Sequence, residues 1–359
     1  MKKQEEDLFF ELCRFKNKKA DEMEALLQDY ASPSVLGHLF FNRMQAIAYG
    51  TLKDCGLLGL VNREFRNSLA AAHQQNSQKN NSFFDCLGRL CEILSPHTKR
   101  YAMLKGALLC QLYPEGYRTS NDVDLLVRPK DVTVIGETLQ DAGFRQGHIQ
   151  NGEFVPASRR EIVESKMLRG ETVPYILEVN LPQMRYFEVD INFSLDYKNG
   201  DTDILSDMLA HTVVNRSGKR GIVTLDPIDF FIHLCTHLYK ETTTLPWVKM
   251  KRDMTLYKFC DLYMLLHDWT KEDLQSLFQR AEQLGMSDIC RAAIVWTDDL
   301  FGIRNDEIME NVRLGLLGRE SILHEVIAPT EHKKFIYTER DTRTRFFAED
   351  RTALLKEVR

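Results

Sequence analysis

Asp122 and Asp124 stand two residues apart in the run DVDLLV, which alternates like a β-strand. Side chains at i and i+2 of a strand leave from the same face, so the two carboxylates project together. Carboxylates this close repel each other unless a cation lies between them. A hard divalent ion such as Mg2+ takes oxygen ligands and completes its shell with water or phosphate. Apolar Val123, Leu125, Leu126 and Val127 surround the pair, as a metal platform on a buried strand requires.

Upstream, Gly106 follows the short apolar run YAMLK and opens a helical run, ALLCQLY. A glycine there lets backbone approach a phosphate closely, and a helix start favours negative charge. Lys105 offers a point charge to the same phosphates, or is simply a lysine exposed at a strand end. A third carboxylate is expected in RYFEVDINFSL (Arg185 to Leu195), where Tyr186, Glu188, Asp190 and Asn192 share one face. Phe187, Val189, Ile191 and Phe193 take the other. Asp190 is the preferred third ligand, Glu188 the alternative, and Glu178 on the preceding strand a further candidate.

The elements that must position these residues follow from periodicity. Residues 1–98 read as an N-terminal helical region, with Leu8, Leu12 and Phe15 at helical spacing and a long amphipathic stretch from Ser34 to Leu57. The polar run HQQNSQKNNS (His73 to Ser82) reads as a loop before a helix over Phe83 to Leu94. From Tyr101 the texture becomes strand, helix, strand, helix, with Asp131 as a helix cap and Gly143 as its left-handed end. VPYILEVN (Val173 to Asn180) and the strand from Arg185 read as an antiparallel hairpin. Residues 99–200 are therefore expected to form an α/β core and 201–330 a C-terminal helical domain. The charge-mixed stretch 331–359 reads as a surface tail or loosely packed helix.

Composition narrows the function classes. The 359 residues are 43% hydrophobic and 28% charged, an ordinary globular balance that excludes disorder throughout. The net charge of −5 argues against coating nucleic acid or an anionic membrane. No apolar run is long enough to span a bilayer, and acidic residues interrupt the N-terminus where a signal peptide needs its apolar core. The expected location is cytoplasmic. The eight cysteines form no CxxC and fit reduced, buried thiols. His233 and His237 are spaced i, i+4 without a glutamate between them, so a zinc-protease reading fails.

The combination of LKG (Leu104 to Gly106), Tyr113-Pro114, Arg118, DVDLLV and a later carboxylate-bearing strand resembles the DNA polymerase β-like nucleotidyltransferase superfamily. Within it, the chain is similar to the bacterial "uncharacterised nucleotidyltransferase" family, some members of which are encoded in lasso peptide and related gene clusters. The resemblance implies an α+β fold, a small mixed-sheet core flanked by N-terminal and C-terminal helical regions. It implies a transferase in which Asp122, Asp124 and Asp190 hold two Mg2+ (or Mn2+) ions. Lys105, Gly106, Arg118 and Ser120 would bind the nucleotide; anchoring its own turn is the other reading of Arg118. The implied reaction moves an NMP group, AMP from ATP in the preferred reading, onto a hydroxyl or phosphate of a small-molecule, peptide or protein acceptor, releasing pyrophosphate. A peptide natural product or its precursor is among the acceptors implied. The resemblance also implies a histidine-bearing helix, with His233 or His237, followed by an aspartate-bearing one, with Asp261.

The chain departs from the pattern at Ala107, where relatives carry a second glycine or a serine, and at Asn192, where they often carry histidine. These departures leave open a catalytically weak nucleotide- or peptide-binding partner of the same fold. A toxin-like tRNA nucleotidyltransferase is a further alternative, against which the acidic net charge counts.

Overall fold

Helical spacing near the N-terminus produces helices, the first enclosed on all sides over its second half and the next burying a narrow stripe. In a computed structural model, which describes residues 1–168, 170–195, 202–303 and 306–358, α1 (Lys3–Cys13) buries Leu8, Phe9, Phe10 and Leu12. Helix α2 (Ala20–Tyr30) buries Met23 and Leu27. Ser32 caps α3 (Pro33–Phe41) by accepting from the Val35 amide at 3.3 Å, with Pro33 in the first helical position where its missing N–H costs nothing. The single stretch expected from Ser34 to Leu57 is broken before α4 (Gln45–Asp54), where Arg43 takes a left-handed φ of 59°.

Helix α5 (Arg63–Leu94) runs unbroken through His73–Ser82, correcting the expected loop. That run is polar but holds no glycine or proline to stop a helix. Its side chains are used locally: Asn76 Nδ2 donates to the Gly116 carbonyl at 3.0 Å and Ser82 Oγ to the Pro182 carbonyl at 2.7 Å, while Asn80 is buried.

The following elements are β1 (Tyr101–Met103), α6 (Gly106–Leu112), β2 (Asp122–Val127), α7 (Val132–Asp141), β3 (Arg145–Gln150), β4 (Glu153–Pro156), α8 (Arg159–Leu168), β5 (Tyr175–Leu181) and β6 (Met184–Asn192). After them come α9 (Thr202–Ala210), β7 (Thr212–Asn215), β8 (Ile222–Leu225) and α10 (Pro227–Thr242). Among the described residues the main sheet has six strands in the order β1-β2-β6-β5-β3-β4. The β5–β6 hairpin is antiparallel as expected, whereas β2 and β6 run parallel. The sheet is therefore mixed. Val123, Leu125, Leu126 and Val127 of β2 and Val189 and Ile191 of β6 are fully buried. Each such side chain contributes roughly 1.5–3 kcal/mol of burial. Phe187 continues that core against Phe83 and Phe144, with ring centroids 6.1 and 6.2 Å away.

Asp131 precedes α7 but does not cap it. Its buried carboxylate accepts from Arg100 at 2.7 Å and Arg128 at 2.9 Å instead. Gly143 takes φ +95° after α7, the left-handed turn that a Cβ would strain.

The rest of the chain is α11 (Leu245–Lys249), α12 (Leu256–Leu266), α13 (Lys271–Gln283), α14 (Ser287–Phe301), α15 (Asp306–Leu314), β9 (Glu325–Ala328), β10 (Lys333–Tyr337), α16 (Thr342–Phe347) and β11 (Leu355–Val358). Strands β11-β10-β9 form an antiparallel sheet whose Val326, Ala328 and Tyr337 pack with Leu245 and Val248. The stretch expected as a tail is thus built into a fold. Arg351 lies buried with its guanidinium on both oxygens of Asp253, at 2.8–3.0 Å.

The chain divides into two compact units, Met1–Ala71 with Phe231–Arg359, and Ala72–Phe230. Residues expected as the transferase core lie within Ala72–Phe230, and the expected boundary at 200/201 lies outside the described residues. Among the described residues no helix is long and apolar enough to cross a membrane. No disulfide joins any of the eight cysteines, and six of them are buried. Burial pushes the Cys86 and Cys91 thiols up to about 11.

Candidate active site

The parallel pairing of β2 with β6 sets Asp122 opposite Glu188 and Asp124 opposite Asp190. Period-2 alternation on both strands puts all four carboxylates on one face, while Val123, Leu125, Val189 and Ile191 bury the other. Four acidic side chains on adjacent strands are costly to assemble. Burial, then the negative charges of Asp124 and Asp122, push the Asp190 carboxyl well above its usual range, against the opposing pull of Lys105. Glu188 is raised for the same reasons, burial first and Asp122 second.

Three neighbours hold the pair on β2. Lys105 Nζ lies 3.1 Å from Asp124 Oδ1, and Asn192 Nδ2 donates to the same oxygen at 3.3 Å. Ser120 Oγ donates to Asp122 Oδ1 at 2.8 Å. Lys105 takes φ 43° and ψ −115°, a conformation sparsely populated outside glycine. Strain of this kind costs on the order of 1–3 kcal/mol and persists where the surroundings impose it. Here the chain turns sharply between β1 and α6, and β1 is pinned to β2 by the Leu104 amide donating to the Asp124 carbonyl at 2.9 Å.

Gly106 belongs to the same cluster. A Cβ at this position would lie 2.3 Å from Ser120 Oγ and 2.5 Å from Ser120 Cβ. In this structure the close approach that the glycine permits is therefore to Ser120. Arg118 Nη1 donates to the carbonyl of its neighbour Thr119 at 2.5 Å.

The fold thus gathers Lys105, Gly106, Ser120, Asp122, Asp124, Glu188 and Asp190, and adds Asn192 as a donor to Asp124. His233, His237 and Asp261 lie in the other compact unit, on α10 and α12. A cavity of about 360 Å3 adjoins the cluster, with Asp190 on its wall and α8 and residues 171–174 around it. No motif marked it. The nearest sequence signal is Ser158-Arg159-Arg160-Glu161, a capping box in which the Ser158 amide donates to Glu161 Oε2 at 2.7 Å and the Glu161 amide to Ser158 Oγ at 3.3 Å.

As the side chains stand, no group of three or more His, Cys, Asp or Glu residues among those described is gathered to hold a metal ion. The donor chemistry nonetheless fits a hard divalent cation. Asp122, Asp124 and Asp190 offer only carboxylate oxygens, and their mutual repulsion is relieved by positive charge, the part Lys105 plays for Asp124 here.

A family model described as "uncharacterised nucleotidyltransferase" matches residues 35–302. No curated protein and no solved structure matches the chain. The match runs from within α3 to the end of α14 and takes in the whole mixed sheet whose parallel strands carry the acidic face, and the chain belongs to the uncharacterised nucleotidyltransferase family, with a polymerase β-like core.

Proposed function

We propose that this protein transfers a nucleotidyl group, AMP from ATP, to a hydroxyl or phosphate of a small-molecule, peptide or protein acceptor, with release of pyrophosphate. The observation that carries the reading is the β2–β6 register, which sets Asp122 and Asp124 beside Glu188 and Asp190 on one polar face. Asp122, Asp124 and Asp190 are assigned as holders of Mg2+, with Glu188 the substitute for Asp190. A divalent ion bound there supplies neutralisation of triphosphate charge and lowers the pKa of an acceptor hydroxyl.

The chain's own residues do the rest by positioning and charge. Ser120 fixes the Asp122 carboxylate by its hydrogen bond. Gly106 lets Ser120 sit close enough to do so. Lys105 exchanges Asp124 for a phosphate oxygen when nucleotide arrives. Arg118 is assigned to the nucleotide as well, from the turn that precedes β2.

Calorimetric titration of ATP, GTP, CTP and UTP, each with and without Mg2+, tests the reading. Metal-dependent binding that Asp122→Asn/Asp124→Asn loses is expected. Nucleotide binding unaffected by both the metal and the double substitution would overturn it.

A second reading keeps the fold and the nucleotide but drops catalysis, leaving a nucleotide- or peptide-binding partner. Its support is that Asp124 Oδ1 already accepts from both Lys105 and Asn192. Steady pyrophosphate release over many equivalents excludes it.

A further inference from the structure

Lys105 brings a positive charge to the carboxylates where a metal ion would bring one. Its Nζ lies 3.1 Å from Asp124 Oδ1, and the two side chains are only 22% and 12% exposed, so solvent ions screen the pair little. Asn192 Nδ2 donates to the same oxygen at 3.3 Å. The Lys105 ammonium also draws on Asp190, which stands opposite Asp124 in the β2–β6 register. Two of the three carboxylates assigned to Mg2+ are thus within its electrostatic reach.

The backbone delivers Lys105 to this place. The ladder between β1 and β2 ends with the Leu104 amide donating to the Asp124 carbonyl at 2.9 Å, so the next residue starts beside Asp124. The Lys105 carbonyl then accepts from the Leu108 and Leu109 amides at 3.2 and 2.9 Å, which ties the residue to α6. Ladder on one side and helix on the other hold its φ at 43°. The backbone cannot carry the ammonium away, but the flexible side chain can. A divalent ion and an ammonium on one carboxylate oxygen would repel each other strongly.

We propose that Lys105 holds the place of the metal: it keeps a divalent cation off Asp124 until a nucleoside triphosphate offers the ammonium another anion, so that metal and nucleotide bind as a coupled pair. The inference rests on the nucleotidyl-transfer reading above, which assigns Asp124 and Asp190 to the metal and the triphosphate to Lys105. Metal alone must break the Lys105–Asp124 pair and leave the ammonium beside a new positive charge. Nucleotide alone must draw Lys105 off Asp124 and leave the facing carboxylates uncompensated. When both bind, the ion takes over the carboxylates and the ammonium moves to a phosphate oxygen, so every charge keeps a partner. Each ligand then raises the affinity of the other by the same factor.

The test uses the full chain and counts free Mn2+ by its electron paramagnetic resonance signal, which reads metal binding without turnover. Wild type is compared with Lys105→Met, which removes the charge and keeps an unbranched side chain, and with Lys105→Gly, which accepts a positive φ without strain. Both variants should bind Mn2+ alone more tightly than wild type, by at least about fivefold, the lower end of ordinary coupling. Asp124→Asn added to either should abolish that gain. Calorimetry with Mn2+ and an ATP analogue carrying a methylene bridge between α- and β-phosphorus should show the opposite change, with both variants binding the complex at least about fivefold more weakly. Circular dichroism melting shows which variants are folded, and Lys105→Gly decides the matter if Lys105→Met is not.

A lysine that merely braces Asp124 would loosen Mn2+ when removed, and one that merely contacts phosphate would leave binding of Mn2+ alone unchanged. Either result would overturn the proposal, as would tighter Mn2+ binding with nucleotide binding undiminished. Mg2+-dependent ATP binding by wild type, lost in Asp122→Asn/Asp124→Asn, separates the two failures. If that holds and the Lys105 variants fail to move the two affinities apart, only the coupling falls. If no nucleotide binds, the transfer reading falls and this one with it.

Discussion

Replacing Gly106 with alanine isolates the contact that brings Ser120 to Asp122. The new Cβ would lie 2.3 Å from Ser120 Oγ and 2.5 Å from its Cβ, too close for either atom to stay. Overpacking of this kind costs about 1–3 kcal/mol. Alanine is up to about 1 kcal/mol better than glycine in a helix interior, and less at the first residue of α6. The net expectation is a loss of roughly 1–2 kcal/mol. Ser120→Ala does not relieve the contact, because the Cβ itself clashes; only Ser120→Gly removes both atoms. In the Ser120→Gly background Gly106→Ala should therefore be neutral or slightly stabilising. The coupling energy is then on the order of 2 kcal/mol, far above the roughly 0.3–0.5 kcal/mol scatter of independent sites.

The assay is urea unfolding of wild type, both single variants and the double variant. Trp247, Trp269 and Trp296 all lie outside Ala72–Phe230. Tryptophan fluorescence thus follows the other unit, and circular dichroism must be read alongside it to see this one. A separate transition for each unit would be fitted separately, since one two-state midpoint is undefined for such a chain. Gly106→Ala as stable as wild type, or a coupling energy near zero, would refute the reasoning. Metal-dependent nucleotide binding should weaken in step, because a displaced Ser120 releases Asp122.

Asp190→Asn removes a charge that burial and Asp124 disfavour, so the metal-free protein should melt higher while transfer activity is abolished; a lower melting temperature would contradict the electrostatic account. His324 is buried beside Arg345 and Arg340, and burial first, then these charges, hold it down at about 4 against an ordinary 6.5. The unfolded chain takes up that proton first, so its stabilising contribution is complete above pH 6.5 and is lost as pH falls toward 4. The loss is roughly 3 kcal/mol at most, and His324→Gln should flatten the fall in urea midpoint between pH 7 and 5. Arg351→Ala strands the Asp253 carboxylate in the interior and should cost about 3–5 kcal/mol, with partial recovery in the Arg351→Ala/Asp253→Asn double variant, both read from tryptophan fluorescence.

Local signals survive translation into structure where the decisive interaction is local. The alternation in DVDLLV and RYFEVDIN sorts acidic from apolar side chains, and a strand of either register partner must obey it. The parallel pairing of β2 with β6 is a different matter. More than fifty residues separate the strands, and nothing in either one says that Asp124 faces Asp190 rather than Glu188. Two differences between expectation and structure have one physical source. Polar composition suggests exposure and irregularity in His73–Ser82 and again after Glu331. Yet Asn76 and Ser82 spend their polar groups on nearby carbonyls, and Arg351 on a buried aspartate. A polar residue with a partner folds as readily as an apolar one, and the partner is what a single sequence conceals.

The same limit applies to the site, and it explains which half of it could be read. The carboxylate half is written in side-chain type and period-2 spacing, because repulsion between like charges on one strand demands a counter-charge wherever the strand goes. The cavity beside Asp190 is assembled from β3, α8, residues 171–174 and β6, and no two of its members share a motif. Glu164 and Glu171 look like ordinary surface charges in sequence, and Thr172 like an ordinary strand residue. They come together only because residues 170–172 lie against the end of β6. The paired carboxylates are thus carried by local pattern, while the cavity beside them is carried by tertiary placement. On the proposed nucleotidyl-transfer reading, Asp122→Asn or Asp124→Asn should accordingly abolish transfer to every acceptor, measured as pyrophosphate release, and an acceptor that either variant still labels would contradict it.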